Sequence, residues 1–260
     1  FYRYMRKKHQ YLMMDGQPEG GSWNYDKFNR NTWKGGSIPP PYKPNADLAN
    51  EIYPQVVAAG IDTIGTFETE NFLFAISRAD SLKQLNYFCE YLLHDFGTYQ
   101  DAMHQEECNL FHARISFSLN VKLIDPAEVI ECAISAYRKE GSAISLAQIE
   151  GFVRQILGWR EYIRGLYWKE MPHYKQKNEL NNFGKLPDFY WTGNTKMNCL
   201  KTSIKNSLEN AYAHHIQRLM ITGNFALLLQ VHPDEVDDWY LGIYADAVEW
   251  VQLPNTRGMS

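Results

Sequence analysis

The adjacent histidines His214 and His215, in the stretch AYAHHIQRLMITG from Ala211 to Gly223, are the first residues whose type suggests chemistry. Imidazole titrates near neutrality, so a histidine facing a substrate can give or take a proton. On a helix, neighbours in sequence diverge by about 100°, so the two rings cannot share a face. A single metal ion takes helical histidines three or four positions apart, not side by side. Two readings remain: a proton donor beside a cofactor contact, or two interior histidines satisfied by carbonyls.

Other groups invite the same weighing. The cysteines Cys89, Cys108, Cys132 and Cys199 show no C-x-x-C pairing and no zinc-ribbon spacing. Read by type alone, they are small buried residues. Arg218 and Asp246 read as an ordinary ion pair, Arg114 as a surface cation and Ser116 as a helix-bend serine. Trp159, Trp191, Trp239 and Tyr240 belong to an aromatic stock of 14%, which suits a large core, stacking on planar ligands, or both. Lys169, His173, Lys175, Lys177 and Lys185 surround a loop ending in PDFYW; they fit phosphate contacts or a solvated loop.

The elements that position these residues are mostly helical. Asp125-Pro126-Ala127-Glu128 has the cap, N1 proline and acid of a helix start. Ser145-Leu146-Ala147-Gln148 is a capping box, followed by apolar residues at helical spacing from Ile149 to Leu166. Gly, Pro, Asn and Asp from about Asp15 to Asn45 predict a linker, and Pro39 to Pro41 an extended path. A short helix is expected at 46–59 and a basic amphipathic helix near 1–14, its Arg3, Arg6, Lys7 and Lys8 forming a solvated face. No β-alternation of any length is evident. The chain of 260 residues, 45% apolar and 22% charged, is long enough for one large globular domain. Its net charge of −4 is not that of a broadly basic nucleic-acid binder, so any such contact needs a local patch. With no leader and no bilayer-length apolar run, a cytoplasmic, reduced, monomeric protein with no membrane partner is expected. Both ends read as cut, so a fragment is expected.

At QILGWREYIRGLYW the residues stop being generic. The Trp159-Arg160-Glu161-Tyr162 run resembles the helix signature of photolyases and cryptochromes. FHARISFSL resembles that family's TSRLSPYL segment, WTGNTKMNCL its entry to the flavin helices, HHIQRL its HHLARH or HNRVRM, and YADAVEW its DYDVAAN. The segments occur in the family's order. DGQPEGGSWNYDKFNR and FYWTGNTKMNCL further resemble the bacterial iron–sulfur subgroup, the photolyase-related proteins.

The resemblance implies a mainly α fold: a helical FAD-binding catalytic domain from 66 to 260, lacking its C-terminal part. It is preceded over 1–65 by the end of an α/β antenna domain and the interdomain linker. It implies FAD, a 4Fe-4S cluster and a lumazine antenna in the full-length protein. Cys199 matches one cluster ligand, the other three lying beyond this chain. Arg114, Ser116 and Arg160 match the phosphate side of the flavin site, Arg218 and Asp246 the pair flanking the ring, and Gln252 the neighbourhood of flavin N5. Val248 stands where the family commonly carries an acid. His214 matches the first histidine of the 6-4 enzymes, a proton donor, and His215 a flavin-side contact. Trp191, Trp239 and Tyr240 match an electron route. Trp159 is placed to stack on a flipped base, with Lys175 and Lys177 toward UV-damaged DNA. The implied function is light-driven repair of UV-induced 6-4 photoproducts by electron transfer from reduced FAD, the fragment alone being inactive. The alternatives are a cryptochrome-type blue-light sensor and a helical interaction domain without cofactor.

Overall fold

A computed structural model describes residues 1–65 and 67–259, apart from the side chain of 259. Positions 66 and 260, the ends of the expected helical domain, lie outside the described residues. Helices hold 58% of the chain and strands 2%.

Local signals set most boundaries. Helix α1 spans Tyr2–His9 and α2 Asp47–Ala58, close to expectation. Then come α3 (Arg78–Tyr91), α4 (Leu93–Tyr99), α5 (Ser116–Asn120), α6 (Pro126–Arg138), α7 (Leu146–Val153) and α8 (Glu161–Glu170). The remaining α-helices are α9 (Phe189–Thr192), α10 (Asn198–Asn210), α11 (Asn224–Leu228), α12 (Pro233–Ile243) and α13 (Glu249–Met259). Both expected capping boxes are present: Asp125 with Glu128, and Ser145 with Gln148. Each cap contributes about 1 kcal/mol by satisfying amide donors that the first turn leaves unpaired.

The linker holds a feature that the search for alternation passed over. Strands β1 (Met13–Met14) and β2 (Gln17–Pro18) pair antiparallel. Asp15 and Gly16 join them with φ of 48° and 74°. Asp-Gly is the favoured pair for a two-residue hairpin turn.

Arg6 corrects the reading of α1 as a solvated basic face: it is wholly buried. Its guanidinium donates to the carbonyls of Tyr11 (3.3 Å), Trp23 (3.1 Å) and Leu12. The chain just after α1, with Trp23 of the folded-back linker, supplies the acceptors that make this burial tolerable. Tyr2 then donates to Glu150 on α7 (3.0 Å), seating α1 on the helical body.

Two apolar cores result. One gathers α3, α4, α6 and α7 around Leu93, Phe88, Ile149 and Phe152; the other gathers α9, α10 and α12 around Tyr190, Ile204, Trp239 and Tyr240. Helices α4 and α7 approach closely at Gly97, where an added Cβ would lie 2.6 Å from the Gln148 Cα. No side chain fits there, so glycine sets the spacing.

Candidate functional site

A cavity of about 350 Å³ lies between the two cores, bounded by Phe96 and Phe152 on one side and Leu219 and Tyr240 on the other. It adjoins a recess of about 190 Å³ that contains Arg160 and Trp250. Two of its walls are π-helical turns, Arg154–Arg160 and Ile216–Gly223. Such wide turns shift the register of a helix and concentrate at functional sites. Helical periodicity in a sequence does not reveal them.

The histidine pair is arranged differently from the helical expectation. Helix α10 ends at Asn210, Ala211 turns left-handed (φ 47°), and His214 lies on the irregular segment before the next helix. His215 is that helix's N-cap. His214 is buried, 4% exposed, whereas His215 is exposed at the cavity wall. The rings diverge because the chain turns a corner there, not because of helical spacing.

His214 stacks on a residue that the sequence reading did not single out. The His112 ring lies 4.9 Å away, planes 11° apart. Phe96 meets the His112 ring edge-on at 5.7 Å. His112 Nε2 and His214 Nδ1 are both buried with no hydrogen-bond partner. Burial, reinforced by His112, His215 and Arg218, pushes His214 down to about 2. Burial alone pushes His112 down to about 4. Both imidazoles are therefore neutral at pH 7, with unpaired polar nitrogens suited to a ligand. Histidine at 112 was visible in FHARISFSL, but nothing local pairs it with 214.

Beside them runs an ionic network. Arg218 donates to Asp246 through both terminal nitrogens, at 2.8 and 3.1 Å, and its Nε to the Ala213 carbonyl. The guanidinium also covers the Tyr244 ring at 3.9 Å. Burial is the largest single influence and acts to lower the Arg218 pKa, but Asp246, Tyr244 and Tyr212 together outweigh it and raise it. Ser116 donates to Asp246 Oδ2 (2.5 Å), and Asn120 to the Asp246 carbonyl (2.6 Å). Arg160 donates to Asn120 Oδ1 (2.6 Å) and to the Leu119 carbonyl (3.2 Å), with Trp250 4.8 Å below it. No carboxylate pairs with it among the described residues, and its Nε is buried without a partner. Burial lowers it to about 10. Arg114, at φ 52° on the cavity wall, donates to the Tyr42 carbonyl (3.2 Å), and burial lowers its pKa. Gln252 is buried and borders both cavity and recess. Uncompensated guanidiniums in a cleft call for an anion.

The aromatic residues form a buried chain. Trp239 is fully enclosed, meets Tyr190 at 5.2 Å and Tyr240 at 5.3 Å, and donates to the Tyr190 carbonyl (3.1 Å). Tyr240 reaches the cavity. Its hydroxyl donates to the Arg218 carbonyl in the π turn (2.5 Å). Trp191 stands apart, 38% exposed on α9, while its neighbour Tyr190 faces inward. Trp159 lines the cavity, 37% exposed, and donates to Asn255 (2.9 Å). Lys175 and Lys177 lie elsewhere: both are exposed, and Lys177 borders a separate pocket of about 330 Å³ near Arg257. Cys199 is an exposed free thiol, and no metal-binding group of three or more His, Cys, Asp or Glu occurs among the described residues.

A helical body that encloses such a cleft between two cores has the fold of the helical domain of photolyases and cryptochromes. Comparison agrees with this. A family model, "Deoxyribodipyrimidine photo-lyase-related protein", matches residues 1–72. The chain is 47% identical over 262 residues to a (6-4) photolyase of Agrobacterium fabrum, covering 100% of this chain and 51% of that protein. Its fold is similar to a class III photolyase of Agrobacterium tumefaciens, with TM-score 0.60 at 17% identity over 75% of this chain and 41% of that one. It is likewise similar to a Synechocystis cryptochrome, with TM-score 0.60 at 12% identity over 76% of this chain and 42% of that one. Along its whole length the chain is similar to proteins of the photolyase/cryptochrome superfamily. It spans about half the length of the curated relative it matches. No helix among the described residues is long and apolar enough to cross a membrane.

Proposed function

We propose that this chain forms part of a light-driven DNA-repair photolyase that uses FAD on UV-induced 6-4 photoproducts. One observation carries the reading. Arg114, Ser116, Arg218, Asp246, Gln252 and His214 line one cavity, and the unpaired Arg160 lies in the adjoining recess. This donor set fits the cofactor: cations without carboxylate partners for a pyrophosphate, and a carboxylate clamped by Arg218 for hydroxyl or ring donors. When bound, FAD supplies a photoexcited electron.

The chain's residues do the rest. Arg114 and Arg160 hold phosphate oxygens, and Ser116 joins them by turning its one hydroxyl proton away from Asp246. Arg218 fixes Asp246 so that its free lone pairs face the cavity. His214 presents Nδ1, which takes a proton from the lesion and returns it as the oxygen-bearing group moves back between the bases, so that the ring is charged only in transit. Trp159 stacks on an everted base, and the lysines at 175 and 177 meet the flanking backbone. In the whole protein Cys199 contributes to a 4Fe-4S cluster, which needs three further thiolates, and a lumazine serves as antenna.

The test uses the whole protein containing this chain, loaded with FAD, under blue light with a thiol reductant and an oligonucleotide bearing one 6-4 lesion. Restored bases support the reading. Photoreduced flavin with an unchanged lesion overturns repair in favour of a cryptochrome-type sensor. Failure to bind flavin overturns both.

A further inference from the structure

Cys89 on α3 and Cys132 on α6 are distant in sequence, yet their sulfurs lie 3.7 Å apart as free thiols. Cys89 is buried and Cys132 half-buried, so Cys132 is the residue of the pair nearer solvent. A disulfide is about 2.05 Å long, so closure needs a relative shift of roughly 1.7 Å, shared by two rotating side chains. Cys132 also donates to Asn86 Oδ1 at 3.4 Å. Asn86 is exposed, so its amide can rotate to offer N–H to a thiolate. The contact with Cys89 draws Cys132 down to about 7 against the opposing effect of burial. The same contact and burial push Cys89 upward. The pair thus contains one nucleophile and one retained thiol.

We propose that Cys89 and Cys132 form a reactive dithiol, which a hydroperoxide converts reversibly to an intramolecular disulfide. The Cys132 thiolate attacks the peroxide, forming an S–O bond as the O–O bond breaks; with hydrogen peroxide the leaving hydroxide takes up the proton that Cys132 released on ionising and departs as water. The Cys89 sulfur then attacks the Cys132 sulfenic acid. The S–O bond breaks, the S–S bond forms, and the Cys89 proton departs with hydroxide as a second water. The two thiols lose two electrons and the peroxide gains them. A thiol reductant reverses the change.

The cross-link bears on the central cavity through α3. Gln84 of α3 donates to the carbonyls of Ala113 (3.3 Å) and Arg114 (3.2 Å). Phe88 packs on Phe152 at 4.8 Å, which walls the cavity. Tying α3 to α6 stiffens the support of the segment carrying His112 and Arg114.

The experiment treats the whole protein with hydrogen peroxide, blocks remaining thiols under denaturing conditions, and maps the cysteines by mass spectrometry. The expected result is a Cys89–Cys132 cross-linked peptide, lighter by about 2 Da than the two thiol peptides combined and lost on reduction. Cys132→Ser abolishes the cross-link and leaves Cys89 fully alkylated. Cys89 fully alkylated in the treated wild type, or Cys132 recovered only as sulfinic acid, overturns the proposal. None of these readouts depends on flavin or repair, so a failed repair assay leaves the result interpretable.

Discussion

The imidazoles of His112 and His214 lie face to face, ring centroids 4.9 Å apart, each with a buried nitrogen that no protein group satisfies. Stacked rings direct their polar nitrogens along their edges, so neither can satisfy the other. A second positive charge on such a pair would be repelled by the first and by Arg218. The arrangement therefore holds two neutral rings ready for a ligand that offers both a donor and an acceptor.

Stability follows from this. An unfolded chain protonates each imidazole below about pH 6.5, whereas folded His112 and His214 stay neutral to about 4 and about 2. Their contribution is full above about pH 6.5. It declines from there toward pH 4, by on the order of 1.4 kcal/mol per pH unit for each ring. Urea midpoints of the ligand-free protein between pH 7 and pH 5 should fall accordingly, and His214→Gln should halve the slope. A wild-type profile flat across that window would remove the neutral pair.

Repair should depend on His214 more than on His215. His214→Ala is expected to abolish restoration of a 6-4 lesion while leaving flavin bound, because the alanine removes only the proton-carrying ring. His215→Ala, at an exposed position, should retain measurable repair. Equal loss in both, or none in His214→Ala, contradicts the division of roles.

How far these groups could be read in the sequence depends on the distance over which each is determined. Capping boxes at Asp125 and Ser145 are local and were legible. Arg160, Arg218 and Asp246 could be singled out because they sit in segments of family type, but that they border one cleft is visible only in the structure. That the rings of His214 and His215 diverge was legible; the turn that makes them do so was not, because a left-handed Ala211 and a π turn leave no mark in apolar periodicity. Burial of Arg6 depends on carbonyls of Tyr11 and Leu12, just after α1, and of Trp23 in the folded-back linker. His112 acquires its role only when the 109–115 loop meets the turn after α10, a contact set by the packing of two cores.

The Arg218–Asp246 pair is a keystone of the cleft itself. Asp246→Asn leaves a buried guanidinium with a neutral partner and deprives Ser116 of its charged acceptor. A loss of about 3–5 kcal/mol in unfolding free energy is expected, read as a shift in denaturant midpoint. Ser116→Ala should cost only about 1 kcal/mol. Similar costs for the two variants would mean that the carboxylate is not the element that compensates Arg218.

The buried aromatics set the expected route for photoreduction. Trp239 contacts both Tyr190 and Tyr240, and Tyr240 reaches the cavity. Trp239→Phe should slow light-driven flavin reduction several-fold in the presence of external reductant, since phenylalanine is much harder to oxidise. Trp191→Phe should have the smaller effect, because Trp191 lies outward on α9 and Tyr190 makes the inward contact. The comparison is made on initial rates at equal flavin occupancy. A larger effect at 191 than at 239 would redirect the route to the surface.

Arg160 gives the sharpest separation between architecture and binding. Its guanidinium is held by neutral acceptors on Asn120 and Leu119 and by the Trp250 ring, with one nitrogen unpaired. Such a charge costs desolvation that no carboxylate repays, so its removal need not harm the fold. Arg160→Met keeps the aliphatic length over Trp250 and deletes the charge. The ligand-free variant should be as stable as the parent, or more stable by up to about 4 kcal/mol. The same variant should bind FAD at least tenfold more weakly, which is about 1.4 kcal/mol. A variant that lost stability without ligand while keeping its flavin affinity would make Arg160 a structural residue and leave the recess without an anion to hold.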